Sequence, residues 1–376
     1  MVRWYGTKKA VPARPGLHEL CIPAPRNSRA GFRELVSMPR GRHPSLPFIR
    51  ELLLLRCTRK SITTFFTPTC ALYALYRTVF LLRISGNSAE PVLTFAGLGD
   101  YGRLGNQLFQ IAATIGIAES QNLRWDFPAS ISATESGRLF QLSGSLKLTG
   151  TRVATIEETS AFHQEIDLRA NQQLSETGQT RVLSLHGYYQ SLDYFKEHLT
   201  TISKFLTIPS AYKKRILDAH PELNLDNCVT LHVRRGDYIG LDHLYNILSV
   251  NYYIEALKTM PRVDHVIIVS DDKEWCQKYI EPEIRQPVSY SKFDDYISDF
   301  VLLYLGHHII TANSTFSWWA AFLSQLQRIR SSAQATDYNQ HGLVVMPRLW
   351  FNTTGALADL NDRAIFPDSW TVIDES

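Results

Sequence analysis

Cysteine is scarce in this 376-residue chain: there are five, and only Cys228 and Cys276 lie beyond position 70. Five widely spaced thiols form neither a disulfide framework nor a zinc-type spacing, so the fold must rest on an apolar core. No Asp-x-Asp pair occurs, nor a His-Glu-x-x-His segment, a Gly-x-Ser-x-Gly elbow or a Gly-Lys-Ser/Thr phosphate loop. Those absences set aside a metal clamped by paired carboxylates, a zinc protease, a serine hydrolase and a P-loop nucleotidase. A positive body is also missing. Residues 1–60 hold 13 Lys or Arg against three acids, which leaves −7 on the remainder of a chain whose total is +3. The body therefore has no positive surplus for phosphate backbones, and nucleic acid is not an expected partner. No internal repeat is visible.

The basic leader carries 7 of the 17 prolines and no sustained periodicity, which predicts disorder over residues 1–60. Ile62–Leu82 follows, rich in Phe, Leu and Tyr. About 20 apolar residues suffice to span a bilayer, and Arg77 near one end can snorkel. Basic residues on its N-terminal side predict a signal anchor with the body on the far side of the membrane; a buried helix or an Arg-rich transit peptide is the alternative. Residues 83–91 read as a stem.

Beyond Pro91, short β-branched runs (Val92–Phe95, Val182–Leu185, Val229–Val233, His265–Val269, His308–Thr311, Gly342–Met346) alternate with helical stretches. Unbroken apolar strands are buried on both faces, and alternation with helices predicts an α/β fold with parallel sheets. Two α/β halves facing a cleft, 92–210 and 227–376, fit the length, with Leu206–Asn227 as the connection.

Four segments carry candidate chemistry. In Leu231-His-Val-Arg-Arg-Gly-Asp-Tyr238 an apolar strand ends in two guanidinium groups beside His232 and Asp237. Paired arginines on a sheet rim supply fixed charge and forked donors matched to a diphosphate; a surface ion pair with Asp237 is the plain alternative. Val266-Ile-Ile-Val-Ser-Asp-Asp272 brings Asp271 and Asp272 to another strand end, to accept from a base or ribose or to cap the next helix. Asn313, Ser314, Thr315 and Ser317 open a helix, where hydroxyls and N–H groups hold phosphate or simply cap. Trp318 and Trp319 are expected in the core. Gly102-Arg-Leu-Gly-Asn-Gln-Leu-Phe-Gln110 also opens a helix, with Asn106 and Gln107 as amides suited to hydroxyl recognition or to capping. The letters of a dinucleotide fingerprint, Gly97-Leu-Gly-Asp-Tyr-Gly102, precede it, but no strand-end acid lies about 20 residues on. Asn352-Thr353-Thr354 is a glycosylation sequon. A second, Asn313-Ser314-Thr315, sits inside the helix-start segment.

Together with Gly187-Tyr-Tyr-Gln-Ser191, Trp275, Pro347-Arg-Leu-Trp-Phe351 and Pro367-Asp-Ser-Trp370, these segments resemble the α-1,2-fucosyltransferases of glycosyltransferase family 11 over about residues 92–373. The resemblance implies a GT-B fold, two Rossmann-like domains with GDP-fucose between them, and no metal. It also implies inversion at the fucose carbon, a terminal β-galactoside as acceptor and a type II Golgi protein with a luminal body. In such an enzyme Arg235, with Arg234 beside it, binds the β-phosphate, helped by Ser314, Thr315 and Ser317. His232 holds the loop or acts as base. Asp237 takes the acceptor proton or orients the arginines, and Asn106 and Gln107 lie near the acceptor. Two rivals are a protein O-fucosyltransferase-like enzyme and a catalytically silent sugar-nucleotide-binding protein.

Overall fold

The computed structural model describes residues 91–151, 153–158, 182–225, 227–331, 342–362 and 364–374. The basic leader, the candidate anchor Ile62–Leu82 and residues 83–90 of the stem lie outside the described residues. Among the described residues no helix is long and apolar enough to cross a membrane.

The first half runs β1 (Val92–Thr94), α1 (Leu104–Ser120), β2 (Arg124–Trp125), α2 (Glu135–Phe140), β3 (Val153–Glu157), β4 (Val182–His186), α3 (Leu199–Phe205) and α4 (Ser210–Ala219). The second runs β5 (Cys228–Val233), α5 (Val250–Lys258), β6 (His265–Ser270), β7 (Val288–Tyr290), α6 (Tyr296–Leu305), β8 (His308–Ile310), α7 (Thr315–Ser331), β9 (Val344–Pro347) and β10 (Thr371–Ile373). Among the described residues these strands make a sheet in the order β2-β1-β4-β3 and another in the order β10-β9-β8-β5-β6-β7, with parallel neighbours throughout. All six residues of β5 are buried, as its unbroken apolar sequence requires of a central parallel strand.

Counted from β5, the second sheet has the order 3-2-1-4-5-6 of doubly wound dinucleotide-binding folds. Chain direction across the sheet reverses between β5 and β8, and the crevice outside those two carboxyl ends is where such folds bind ligands. Both arginines follow β5 directly, and the Asn313–Ser317 segment follows β8.

The expected division between 210 and 227 separates the two sheets, yet one apolar core runs through both. α1 is buried nearly all round, as its low amphipathicity demands. Its Phe109 ring lies 4.7 Å from Trp318 and 5.1 Å from Trp319 on α7. Both tryptophans are fully buried, as expected, and Trp318 Nε1 donates to the Ile365 carbonyl at 2.8 Å. Gly105 makes this packing possible: a Cβ there would stand 2.5 Å from the Thr315 carbonyl carbon and 2.6 Å from the Phe316 nitrogen.

Candidate functional site

The carboxyl ends of the two sheets meet where α1 and α7 begin. Asn106 Oδ1 accepts from Thr315 Oγ1 at 2.9 Å and from Gln190 Nε2 at 3.0 Å, which ties the loops after β1, β4 and β8 together. On the second sheet, the loop after β5 is fixed from below by Asp271. Its Oδ1 accepts from the backbone N–H of Arg235 (2.9 Å) and Gly236 (3.2 Å), and its Oδ2 pairs with Arg234 Nη1 at 2.7 Å. Gly236 permits that approach, since a Cβ would stand 2.7 Å from Asp271 Oδ2. Tyr238 laces the loop to the neighbouring strand end: its hydroxyl donates to the Asn313 carbonyl at 3.2 Å, and its ring stacks on Tyr245 at 4.1 Å.

The two arginines differ. Arg234 is tied at both ends of its fork, to Asp271 and, through Nη2, to Asp237 at 2.6 Å. Arg235 is held by its stem: Nε faces Asp272 at 3.3 Å and the guanidinium lies 3.9 Å over the Trp275 ring. Its two Nη groups have no partner among the described residues. Both anchors of Arg235 come from the turn after β6, where Asp272 also caps the next helical turn by accepting from the Trp275 N–H at 3.1 Å. Asp271 and Asp272 are therefore engaged with protein groups, Asp271 with the loop and Asp272 with the cap and Arg235. Asp237, with 61 % of its side chain exposed, orients Arg234.

Of the alternatives left open for the other candidates, several resolve to structural roles. Ser317 is fully buried; its hydroxyl accepts from the Ala312 N–H at 3.2 Å and donates to the Ser314 carbonyl at 3.3 Å, so it fastens the turn and does not reach a ligand. Ser314 Oγ accepts from the Phe316 N–H at 3.4 Å and caps α7. Asn313 is buried, with Nδ2 donating to the carbonyls of Asn246 (2.6 Å) and Trp350 (3.0 Å). His232 was expected to hold the loop by hydrogen bonds or to act as base, but its Nδ1 is buried without a partner and its ring packs 5.6 Å from Phe316. Burial, and then the Arg234 charge, push its pKa down to about 3, so it is a neutral packing group.

Gln107 and Asn106 are engaged with protein groups as well. Gln107 is buried, with Oε1 accepting from the Ser136 N–H at 2.9 Å, and Asn106 is the junction between the loops. Polar residues are spent on holding the α1 start because it is crowded. Glu135 Oε2 accepts the Leu104 N–H at 2.7 Å, and its Oε1 pairs with Arg103 at 2.8 Å. That carboxylate covers the helix start where a dinucleotide phosphate would sit, so the Gly97–Gly102 letters do not make a fingerprint. Sequence reading gave no role to Trp275, Tyr238, Gln190 or Glu135; the first three lie in or beside recognised segments, while Glu135 carries no local signal.

The sequence profile described as Glycosyl transferase family 11 matches residues 100–341, which spans the arginine loop, the Asp271–Asp272 turn and the α7 start. The chain belongs to glycosyltransferase family 11. It is 27 % identical over 305 residues to an alpha-1,2-colitosyltransferase of Escherichia coli, covering 73 % of this chain and 97 % of that one. A galactoside 2-alpha-L-fucosyltransferase of Caenorhabditis elegans is 29 % identical over 262 residues, 63 % of this chain and 70 % of that one. Among solved structures, POFUT1 in complex with GDP-fucose aligns with a TM-score of 0.41 at 9 % identity, over 68 % of this chain and 98 % of that one. The alpha-1,6-fucosyltransferase NodZ co-crystallised with GDP gives 0.39 at 12 %, over 62 % and 92 %. As a glycosyltransferase of family 11, the protein keeps in place the arginine pair, Asp271, Trp275 and the α7 start by which its sequence resembled the family.

Proposed function

We propose that this glycosyltransferase transfers L-fucose from GDP-fucose, with inversion, to the 2-hydroxyl of a terminal β-galactoside, in a GT-B arrangement of its two sheets. The single observation that carries the reading is Arg235. It stands at the crevice of a 3-2-1-4-5-6 sheet with its stem fixed by Asp272 and Trp275 and both Nη groups without a partner among the described residues. When GDP departs, negative charge gathers on the β-phosphate. A preset fork and the positive end of α7 supply what a metal supplies elsewhere, and they need no reorganisation as that charge develops. Arg234, already bound to two carboxylates, holds the loop. The 2-linkage is supported by two relatives whose names both specify that linkage, an alpha-1,2-colitosyltransferase and a galactoside 2-alpha-L-fucosyltransferase. We place the body in the Golgi lumen behind a single type II anchor, on the strength of the basic leader before Ile62–Leu82.

The test is incubation of the full chain with GDP-fucose and a terminal β-galactoside, with product linkage read by NMR. An α-fucoside on the 2-hydroxyl supports the reading. Transfer only from a colitose donor, transfer only to folded protein repeats, or donor binding without any turnover each overturns it.

A further inference from the structure

We propose that Tyr101, His186 and Glu157 form a proton-accepting chain for the acceptor hydroxyl. The inference rests on the transfer reading above and supplies the base that reading lacks. His186 Nε2 is 2.5 Å from the Tyr101 hydroxyl, and His186 Nδ1 is 2.5 Å from Glu157 Oε2. Glu157 and His186 are paired residues at the ends of β3 and β4, so the sheet register fixes their contact. Tyr101 comes from the loop after β1. One buried amide locks that loop to its neighbour: Gln110 Nε2 donates to the carbonyls of Tyr101 and Gly187, both at 3.1 Å. The chain thus sits on the carboxyl rim of the first sheet, in the loops that Asn106 joins to Thr315 of the second.

The three acidic groups that touch the arginines are engaged with protein groups. Asp271 holds three donors, Asp272 caps a helix and anchors Arg235, and Asp237 is bound to Arg234. His232 is 6 % exposed and packs on Phe316, with Nδ1 buried. On the opposite rim the His186 side chain is 38 % exposed and Glu157 66 %, so a proton taken there can leave to water. Tyr188, 49 % exposed, has its ring 6.4 Å from that of Tyr101 and offers an apolar face on which a sugar ring can lie. The titratable groups around His186 are Glu157, Tyr101, Tyr188 and Glu158, whose Oε2 is occupied by the N–H groups of Tyr188 and Tyr189.

An ionised Glu157 only accepts, so Nδ1 carries the imidazole proton and Nε2 receives the Tyr101 O–H. The acceptor hydroxyl donates to the Tyr101 oxygen. As its oxygen forms the new bond to the fucose anomeric carbon, the bond from that carbon to the β-phosphate oxygen breaks, and GDP leaves with the electron pair. The hydroxyl proton moves to Tyr101 while the tyrosine proton moves to His186 Nε2, leaving an imidazolium against Glu157.

The test measures kcat against pH for the full chain and for His186→Gln, Tyr101→Phe and Glu157→Gln, with donor affinity and Tm alongside. A positioned base contributes roughly 10²–10⁴-fold. His186→Gln is expected to lower kcat by about that factor and abolish the acidic limb of the profile, with donor affinity unchanged. Tyr101→Phe should lose a similar factor. Glu157→Gln should lose about tenfold and move the acidic limb to lower pH, because the imidazolium then lacks its carboxylate. An acidic limb that survives in His186→Gln, or undiminished kcat in it, overturns the chain while leaving the transfer reading intact. If His186→Gln does not fold, an unshifted limb in Glu157→Gln overturns it equally. Absence of fucoside from the unmodified protein removes both readings.

Discussion

Arg235→Lys isolates geometry from charge. The lysine keeps the positive charge but loses the planar fork, the Nε contact to Asp272 at 3.3 Å and the stacking at 3.9 Å on Trp275. One charge-assisted hydrogen bond to a phosphate oxygen is worth about 1.5–3 kcal/mol, and the lost stacking adds about 0.5–2 kcal/mol in a partly desolvated setting. The stacking and the Nε contact hold the fork in place, so its loss as a preset donor is expected to cost about 2–5 kcal/mol in the transition state. At about 1.4 kcal/mol per decade, kcat/KM for GDP-fucose should fall between about thirtyfold and several thousandfold. The residue lies on a rim and its stacking partner Trp275 packs on the core, so Tm should fall by a few degrees at most. Kinetics at saturating acceptor, paired with a thermal melt, give both quantities. A kcat/KM within threefold of the parent refutes the fork, and a melting loss that tracks the activity loss refutes the separation of site from scaffold.

Three further outcomes follow from the same structure. Gly105→Ala puts a methyl against the Thr315–Phe316 backbone, an overpacking of about 1–3 kcal/mol that should lower Tm by several degrees; an unchanged melt contradicts the tight α1–α7 contact. Asp299 on α6 is buried and its carboxyl is pushed up to about 7, chiefly by desolvation, with Ser291 Oγ donating to it at 2.5 Å. A raised folded pKa gives stability that is whole below about pH 4 and lost as pH rises through 7. Asp299→Asn should therefore stabilise the protein at pH 8, by up to about 4 kcal/mol at 1.36 kcal/mol per unit, with the difference vanishing near pH 4; a pH-independent difference in urea melts contradicts it. Chelation by EDTA should leave the proposed fucosyl transfer unchanged, because that proposal gives the leaving-group charge to Arg235 and the α7 start, and a loss restored by a divalent cation overturns that assignment.

The sequence was legible where burial dictates composition. Central strands β5, β6 and β8 announced themselves because both faces are covered, which forces continuous β-branched runs. Strands β2, β3, β7 and β10 gave no such signal: they are edge or near-edge strands with partly exposed residues such as Arg124 and Glu157, whose polar side chains break the pattern. At the site, residue types fixed which groups gather but not which way each atom points. Asn106, Gln107 and Ser317 have the chemistry of ligand-binding groups, and the structure uses them to join loops that meet at unusually close range. The Tyr101–His186–Glu157 contact was invisible because its members lie far apart in the chain and come together only through the β3–β4 register and the Gln110 clamp. Of the sequons, Asn352 already uses Nδ2 to donate to the Asp242 carbonyl at 2.9 Å, and Asn313 is buried.

The charge count at the arginine loop explains why geometry matters more there than net charge. Arg234 and Arg235 face Asp237, Asp271 and Asp272, so the cluster formally carries one more negative charge than positive. The start of α7 contributes roughly half a positive charge, which brings the crevice close to neutral. A diphosphate is then not drawn in by a bare positive patch, in keeping with a body that is acidic overall. The carboxylates act as fasteners. Asp271 spends one oxygen on two backbone N–H groups and the other on Arg234, while Asp272 and Trp275 fix Arg235 at its stem and leave the end of its fork open. In the proposed transfer, donors held this way cost little to align as charge moves onto a departing phosphate, so their stabilisation falls on the transition state more than on the bound donor. This division also accounts for the adjacency of two arginines: one is neutralised to build the loop, and the other keeps the end of its fork open for the proposed phosphate.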